Sequence, residues 1–379
     1  MTAGAFSSSK PGNLLCQTPY FTHRSPKLSF PDVFFPPDNR RNRFPAVSVT
    51  SENSAADLPP LVVVGSANAD IYVEIDRLPG EGETVAAKSG LNLAGGKGAN
   101  QAACGGRLSY PTYFVGQIGD DANGRLIRDA LETSGGVRLD YVASVGGTPT
   151  GHAVVMLLAN GENSIIIVGG ANMCGWPSVL GDEEGLEVVK KAGVVLLQRE
   201  IPDSVNIQVA KAARSAGVPV ILDAGGMDTP IPPELLSYVD IFSPNESELA
   251  RLTGMPTESF EDVGRAVRKF HDMGVKQVLV KLGAKGSALF VEGEEPIKQP
   301  IISAPKVVDT TGAGDTFTAA FAVALVEGKS KGECLRFAAK VGIVFLNGMN
   351  VRVTVEYFKP LDFEFRVKNM PVMRCARKI

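Results

Sequence analysis

Gly312, Ala313, Gly314 and Asp315 stand together just ahead of the apolar run 318–326. Glycines at alternate positions let consecutive backbone N–H groups converge on one anion at a helix start, where the helix dipole adds to the attraction. Such a nest suits the charge that develops on a phosphoryl group in transfer. Asp315 falls in the first turn of the helix and is placed to accept the proton of an attacking hydroxyl. An acid there is also an ordinary N-terminal helix residue, so on this segment alone both readings stand.

Two upstream segments have the chemistry of an acceptor site. Asn68 and Asp70 follow the apolar stretch 61–64 and lie two apart, so in extended backbone they point the same way and offer mixed donors and acceptors to vicinal hydroxyls. Gly95, Gly96, Lys97, Gly98, Ala99 and Asn100 open a helical stretch that runs to about residue 108; the glycines admit close backbone approach and the helix start offers free N–H groups. The plain alternatives are an Asx turn for the first and a tight strand-to-helix turn for the second. Glu200 lies just after the strand candidate 194–197 and adds a strand-end carboxylate at the same edge.

A further pair of segments fits a nucleotide. Asn245 and Glu248 share one face of a first helical turn, where Glu248 can hold a water-rich magnesium ion or complete a capping box with Asn245. Leu282, Gly283, Ala284, Lys285 and Gly286 form a loop able to lie against phosphates or ribose, or a simple hairpin turn into residues 287–291. A Walker A loop is excluded: Val323 occupies the first-glycine position ahead of Gly328, Lys329 and Ser330, and Lys97 is followed by glycine instead of Ser or Thr. The H-R-D and D-F-G elements of protein kinases are missing.

The elements that must carry these residues alternate. Apolar strand candidates at 61–64, 113–115, 194–197, 218–222, 241–242 and 278–280 are separated by amphipathic helices such as 123–134, 204–216 and 261–273. This rhythm predicts an α/β fold with a mostly parallel sheet covered by helices on both faces. Two stretches alternate as antiparallel strands instead, 71–75 with 83–93 and 151–158 with 164–168, the latter joined through Asn160 and Gly161. They predict a small β lid at about 71–94 and 151–170.

Composition narrows the class. A chain of 379 residues, 44% hydrophobic and with a formal charge of −3, has the makings of a globular catalyst and no global pull toward nucleic acid or anionic membrane. Its apolar runs fall short of the roughly 20 residues that cross a bilayer. The five cysteines (Cys16, Cys104, Cys174, Cys334, Cys375) are scattered without paired spacing, which predicts a reducing compartment and no structural zinc. Residues 1–59 are rich in Ser, Thr, Pro and Asn, hold Lys10, Arg24, Lys27, Arg40, Arg41 and Arg43, and lack an apolar core near the start. That is the composition of an organelle transit peptide, chloroplast before mitochondrion; an untargeted tail, leaving the protein cytoplasmic, is the alternative.

In order from about Leu61 to about Ala339, the glycine segments and the strand ends together resemble the ribokinase-like (PfkB) family of carbohydrate kinases. The two signatures that carry the resemblance are Gly95, Gly96, Lys97, Gly98, Ala99, Asn100, Gln101 and Asp309, Thr310, Thr311, Gly312, Ala313, Gly314, Asp315, Thr316. The resemblance implies a Rossmann-like sheet with a β lid and ATP-dependent phosphorylation of D-ribose at its 5-hydroxyl, in a member similar to those of plant plastids. It implies sugar contacts from Asn68, Asp70, Gly95, Gly96, Lys97, Asn100 and Glu200, with Asp315 as the base. It implies ATP contacts from Asn245, Lys281, Gly283, Gly312, Ala313 and Gly314, magnesium at Glu248, potassium beside Asp309 and Thr311, and a homodimer formed through the lid. From about Lys340 to Ile379 the chain leaves the family pattern, which normally supplies an adenine wall and half of the potassium site. A splice form or a misassigned exon would produce so abrupt a change, and it implies weaker nucleotide binding and a poor potassium response.

Overall fold

The computed structural model describes residues 58–158, 163–176, 180, 183–302, 312–346, 351–353 and 367–369. In chain order the strands are β1 (Leu61–Val64), β2 (Asn68–Ile75), β3 (Ser89–Gly95), β4 (Thr112–Gly119), β5 (Val137–Val145), β6 (Gly151–Leu158), β7 (Asn163–Val168), β8 (Val194–Arg199), β9 (Val220–Gly226), β10 (Ile241–Ser243), β11 (Gln277–Lys281), β12 (Ser287–Val291), β13 (Ile297–Gln299), β14 (Val351–Val353) and β15 (Val367–Asn369). The helices are α1 (Lys97–Arg107), α2 (Ala122–Thr133), α3 (Glu183–Lys190), α4 (Asp203–Ser215), α5 (Pro233–Ser237), α6 (Glu246–Thr253), α7 (Phe260–Asp272), α8 (Ala313–Val326) and α9 (Lys331–Leu346).

Nine strands form the main sheet in the order β13-β12-β11-β10-β9-β8-β1-β4-β5, parallel except where β12 pairs with β11 and β13. The short runs that read as buried strands do so because helices cover both faces and no polar face is needed. Along β1, Val62 and Val64 enter one hydrophobic cluster, with Val205, Val209, Phe242 and Phe270; Leu61 and Val63 enter the other, with Ile127, Phe321 and Leu335. Helices α1, α2, α8 and α9 thus pack on one face and α3 to α7 on the other, as the alternation of strand and helix predicts.

A second sheet, β3-β2-β6-β7, forms the lid, with β2 and β6 parallel and the outer pairs antiparallel. Its strands differ in extent from the sequence expectation. The stretch expected as a strand from Glu83 starts only at Ser89, because Gly82 takes a positive φ of 72° and Glu83 turns back to accept the Gly80 N–H at 2.9 Å. At the other end β2 begins as early as Asn68, so Asn68 and Asp70 lie in the root of the lid, facing Gly95 and Leu93 across the β2–β3 ladder. The joint at Asn160 and Gly161, the segment before residue 58, and Asp309 and Thr311 lie outside the described residues. No helix among the described residues is long and apolar enough to cross a membrane.

Candidate active site

The parallel strands β1, β8, β9, β10 and β11 all end at one edge of the sheet, the edge where open α/β sheets bind ligands. Glu200 follows β8, Asp223 lies in β9, Asn245 follows β10 and Lys281 closes β11. The lid root and the starts of α1 and α8 meet them there.

On the acceptor side, Glu200 is the organising carboxylate. Its Oε2 accepts from Ser66 Oγ at 2.5 Å, from the Lys97 N–H at 3.1 Å and from Asn68 Nδ2 at 3.4 Å. Asn68 is itself oriented: its Oδ1 accepts from Asn172 Nδ2 at 2.7 Å, while Asn172 Oδ1 accepts the Ala67 N–H at 2.9 Å. Those two bonds fix both amides, so Asn68 presents its donor end toward Glu200. Asn172 and Ser66 went unassigned in the sequence reading; Asn172 meets Ala67 across 105 residues, a contact no local pattern encodes.

The glycines of the first signature are required by space. A Cβ on Gly95 would lie 2.1 Å from Asp70 Oδ2, and one on Gly96 would lie 2.6 Å from the Asn68 nitrogen. Gly96 also holds φ at 90°, a region costly for any residue with a side chain. Asp70 sits among carboxylates: burial first, then the charges of Glu200 and Asp315, raise its pKa from 3.8 to about 7.

Between the two halves of the site stands Asp315, 5% exposed in the first turn of α8. Its Oδ2 accepts from Asn100 Nδ2 at 2.9 Å and its Oδ1 faces Lys97 Nζ at 3.4 Å. Gly312, with φ at 72°, is the N-cap of α8 and makes no side-chain cap bond, so among the described residues the first-turn N–H groups are left to face a ligand. The Asp315 carboxylate raises the Lys97 pKa more than burial lowers it, and Asp223, Glu200 and Glu248 add to the rise. Lys97 is therefore a fixed cation at the meeting point of both halves.

A second lysine closes the far side. Lys281 Nζ bonds Asp223 Oδ2 at 2.6 Å, and a Cβ on Gly314 would lie 3.8 Å from the same Nζ. Asp223 also accepts from Thr318 Oγ1 at 3.0 Å and lies 3.9 Å from Lys97 Nζ. Burial disfavours its charge, but Lys281 and Lys97 hold its pKa below the ordinary carboxylate value. Asp223, absent from the sequence reading, is the anion shared by both site lysines.

The capping-box reading of Asn245 and Glu248 is realised: Asn245 Oδ1 accepts the Glu248 N–H and Glu248 Oε2 accepts the Asn245 N–H, each at 2.8 Å. The other oxygen, Glu248 Oε1, points elsewhere, 3.0 Å from where a Cβ on Gly225 would lie and on the same glycine that Lys97 covers. One free carboxylate oxygen suits a magnesium ion that keeps most of its waters, and no cluster of three or more potential ligands exists among the described residues. Gly283 opens a one-turn 3-10 helix with φ at 52°, next to Glu246 and inside the β11–β12 hairpin. No described contact joins it to the lysine cluster.

The chain is 65% identical over 335 residues to a ribokinase from Arabidopsis thaliana, covering 85% of this chain and 88% of that one. It is 37% identical over 287 residues to a ribokinase from Bacillus subtilis, covering 73% and 89%. A solved structure of Arabidopsis thaliana ribokinase complexed with ribose and ATP superposes with a TM-score of 0.74 at 69% identity, covering 78% of this chain and 95% of that one. The model of the pfkB family of carbohydrate kinases matches residues 59–354, which takes in both glycine signatures and every strand end described above, and the chain belongs to that family.

Proposed function

We propose that this carbohydrate kinase phosphorylates D-ribose at its 5-hydroxyl with ATP, yielding D-ribose 5-phosphate and ADP. The observation that carries the reading is the place of Asp315: a buried carboxylate between the Asn68, Asp70 and Glu200 group and the open N-terminus of α8. Asn68, Asp70, Gly95, Gly96, Lys97, Asn100 and Glu200 bind the sugar. Asp315 takes the proton of the 5-hydroxyl as the oxygen attacks the γ-phosphorus in line and the bond to the ADP oxygen breaks. The N–H groups around Gly312, Ala313 and Gly314, with Lys97 and Lys281, receive the charge on the transferring group. Asn245 and Gly283 lie along the nucleotide. Glu248 would hold a magnesium ion, which would supply positive charge to offset that of the ATP phosphates. ADP-release assays on ribose, fructose, adenosine and pseudouridine test the assignment. Turnover on another acceptor without turnover on ribose sinks it, and no turnover on any favours a sugar-binding protein.

Asp70 gives the reading a pH signature. Hydroxyls that donate to its carboxylate favour the charged form, so sugar binding lowers a pKa that starts near 7 and releases a proton. Titration calorimetry with ribose at pH 7 in two buffers of different ionisation enthalpy is expected to give different apparent heats, and matching heats at pH 9. Equal heats at pH 7 remove Asp70 from the contact.

The lid supports a homodimer. Ile165, Ile166, Ile167 and Val168 are 54%, 56%, 57% and 40% exposed on β7, an edge strand whose unpaired backbone and apolar side chains fit a second copy. Ile166→Glu is expected to shift the sedimentation coefficient from dimer to monomer; a wild type already monomeric at micromolar concentration refutes the pairing.

Asp309 and Thr311 would supply half of a potassium site; the family match continues to residue 354, past the break expected at about Lys340, and the segment after it is where the other half would be lost. The chain therefore responds poorly to K⁺ and binds ATP weakly; full K⁺ activation with ordinary ATP KM overturns this. Residues 1–59 direct the protein to the plastid, which a fusion of that segment to a fluorescent protein tests directly.

A further inference from the structure

Arg199 is the largest fully buried side chain of the described residues and stands at the end of β8, next to Glu200. One neighbour, Asp203, takes its charge, through Nε at 3.2 Å and Nη2 at 2.7 Å. The remaining guanidinium bonds all go to a single loop: Nη1 donates to the carbonyls of Met227 at 3.2 Å and Thr229 at 2.7 Å, and Nη2 to Thr229 Oγ1 at 3.1 Å and the Pro230 carbonyl at 3.2 Å. The backbone adds to the hold, since the Met227 N–H donates to the Arg199 carbonyl at 2.7 Å.

That loop is the strap that leaves β9 at Gly226, and the last residues of β9, directly ahead of it, touch the reacting end of the site at Gly225. A Cβ there would lie 2.4 Å from Lys97 Nζ and 3.0 Å from Glu248 Oε1. The strap is braced from its other side as well. Arg251, one turn beyond Glu248 in α6, donates to the same Met227 carbonyl at 3.4 Å and pairs with Asp228 at 3.2 Å. A strap held between the strand that ends at Arg199, just before Glu200, and the helix that carries Glu248 fixes the spacing of the two halves.

We propose that Arg199 is a positioning residue for phosphoryl transfer: by clamping residues 227–230 it keeps Gly225, and through it Lys97 and Glu248, at a set distance from Glu200. A simple core role would ask only for charge and volume; four bonds to one loop, from the planar fork that only arginine offers, ask for more. Displacements of about 1 Å around reacting groups cost on the order of a hundredfold in rate, so a loosened strap acts on turnover before it acts on sugar affinity.

The proposal rests on the kinase reading above, and the test separates the two. If the wild type shows no turnover, that reading fails; if the wild type turns over, the variants decide. Arg199→Lys keeps the charge for Asp203 but has no fork to span the loop. It is expected to lose about tenfold or more in kcat, to raise ribose KM by a smaller factor, since Lys97 and Glu200 also bind the sugar, and to exchange the amide hydrogen of Met227 faster. Arg251→Ala, at a partly exposed position, removes the second brace and is expected to lose kcat severalfold with the same exchange signature. Asp203→Asn, which weakens the ion pair and leaves the loop bonds, is expected to lower Tm while kcat stays within about twofold. Wild-type kcat in both arginine variants overturns the proposal. So does an Asp203→Asn enzyme that loses as much kcat as Arg199→Lys at equal folded fraction.

Discussion

Asp315→Asn is expected to lower kcat by about 10²- to 10⁴-fold, roughly 3–5 kcal/mol of transition-state stabilisation, while ribose affinity changes little. The substitution keeps the shape of the side chain, and its oxygen can still accept from Asn100 Nδ2, now at 2.9 Å. What it removes is the basic site for the 5-hydroxyl proton and the charge opposite Lys97. Because Asn68, Asp70 and Glu200 do not depend on that charge for their own bonds, calorimetric ribose binding should stay within a few-fold of wild type. Steady-state ADP release on the same preparation supplies the rate. A variant that keeps more than a tenth of wild-type kcat sinks the base assignment and leaves Asp315 as a helix-terminal acid.

The parts of this site that were legible in the sequence are those whose constraint is local. Parallel strands buried on both faces appear as bare apolar runs, as with Leu61, Val62, Val63 and Val64. The glycines at 95, 96 and 312 mark places where backbone must come close or turn to positive φ. The parts that were not legible depend on distant partners. Ser66 and Asn172 matter because they orient Glu200 and Asn68, and Arg199 because a loop some thirty residues on folds back over it. The root of the lid was misplaced for a related reason. Only three residues separate β1 from β2, so a reading by runs and periods assigns Asn68 and Asp70 to the end of the first strand, although they pair with β3 and β6.

Asp223 is the clearest case of a residue visible only in the fold, and its removal should be the second large effect. In sequence it is an acid ahead of two glycines, a common turn. In the structure its side chain is 1% exposed and bonds Lys281 across 58 residues and Thr318 across 95. Asp223→Ala leaves Lys281 and Lys97 facing each other without the anion between them, and breaking one partner out of a buried pair costs about 3–5 kcal/mol. On the proposed mechanism both lysines also bound the space where the phosphoryl group would pass, so kcat should fall by on the order of a hundredfold as they move apart. Asp223→Asn separates the two losses: Thr318 and the Gly225 N–H bond different oxygens of the carboxylate, so the single amide oxygen restores an acceptor for one of them, and with it part of the stability, but not the charge that sets the lysines. The sign with pH follows from the depressed pKa. A carboxylate whose folded pKa lies below its ordinary 3.8 stabilises the fold fully above that value and loses the contribution as pH falls through the lowered one. Urea unfolding should therefore show the full gap between wild type and Asp223→Asn at pH 7 and a narrowing gap as the solution is acidified below 3.8. A gap that stays constant with pH would mean that the shape of Asp223, and not its charge, holds the two lysines in place.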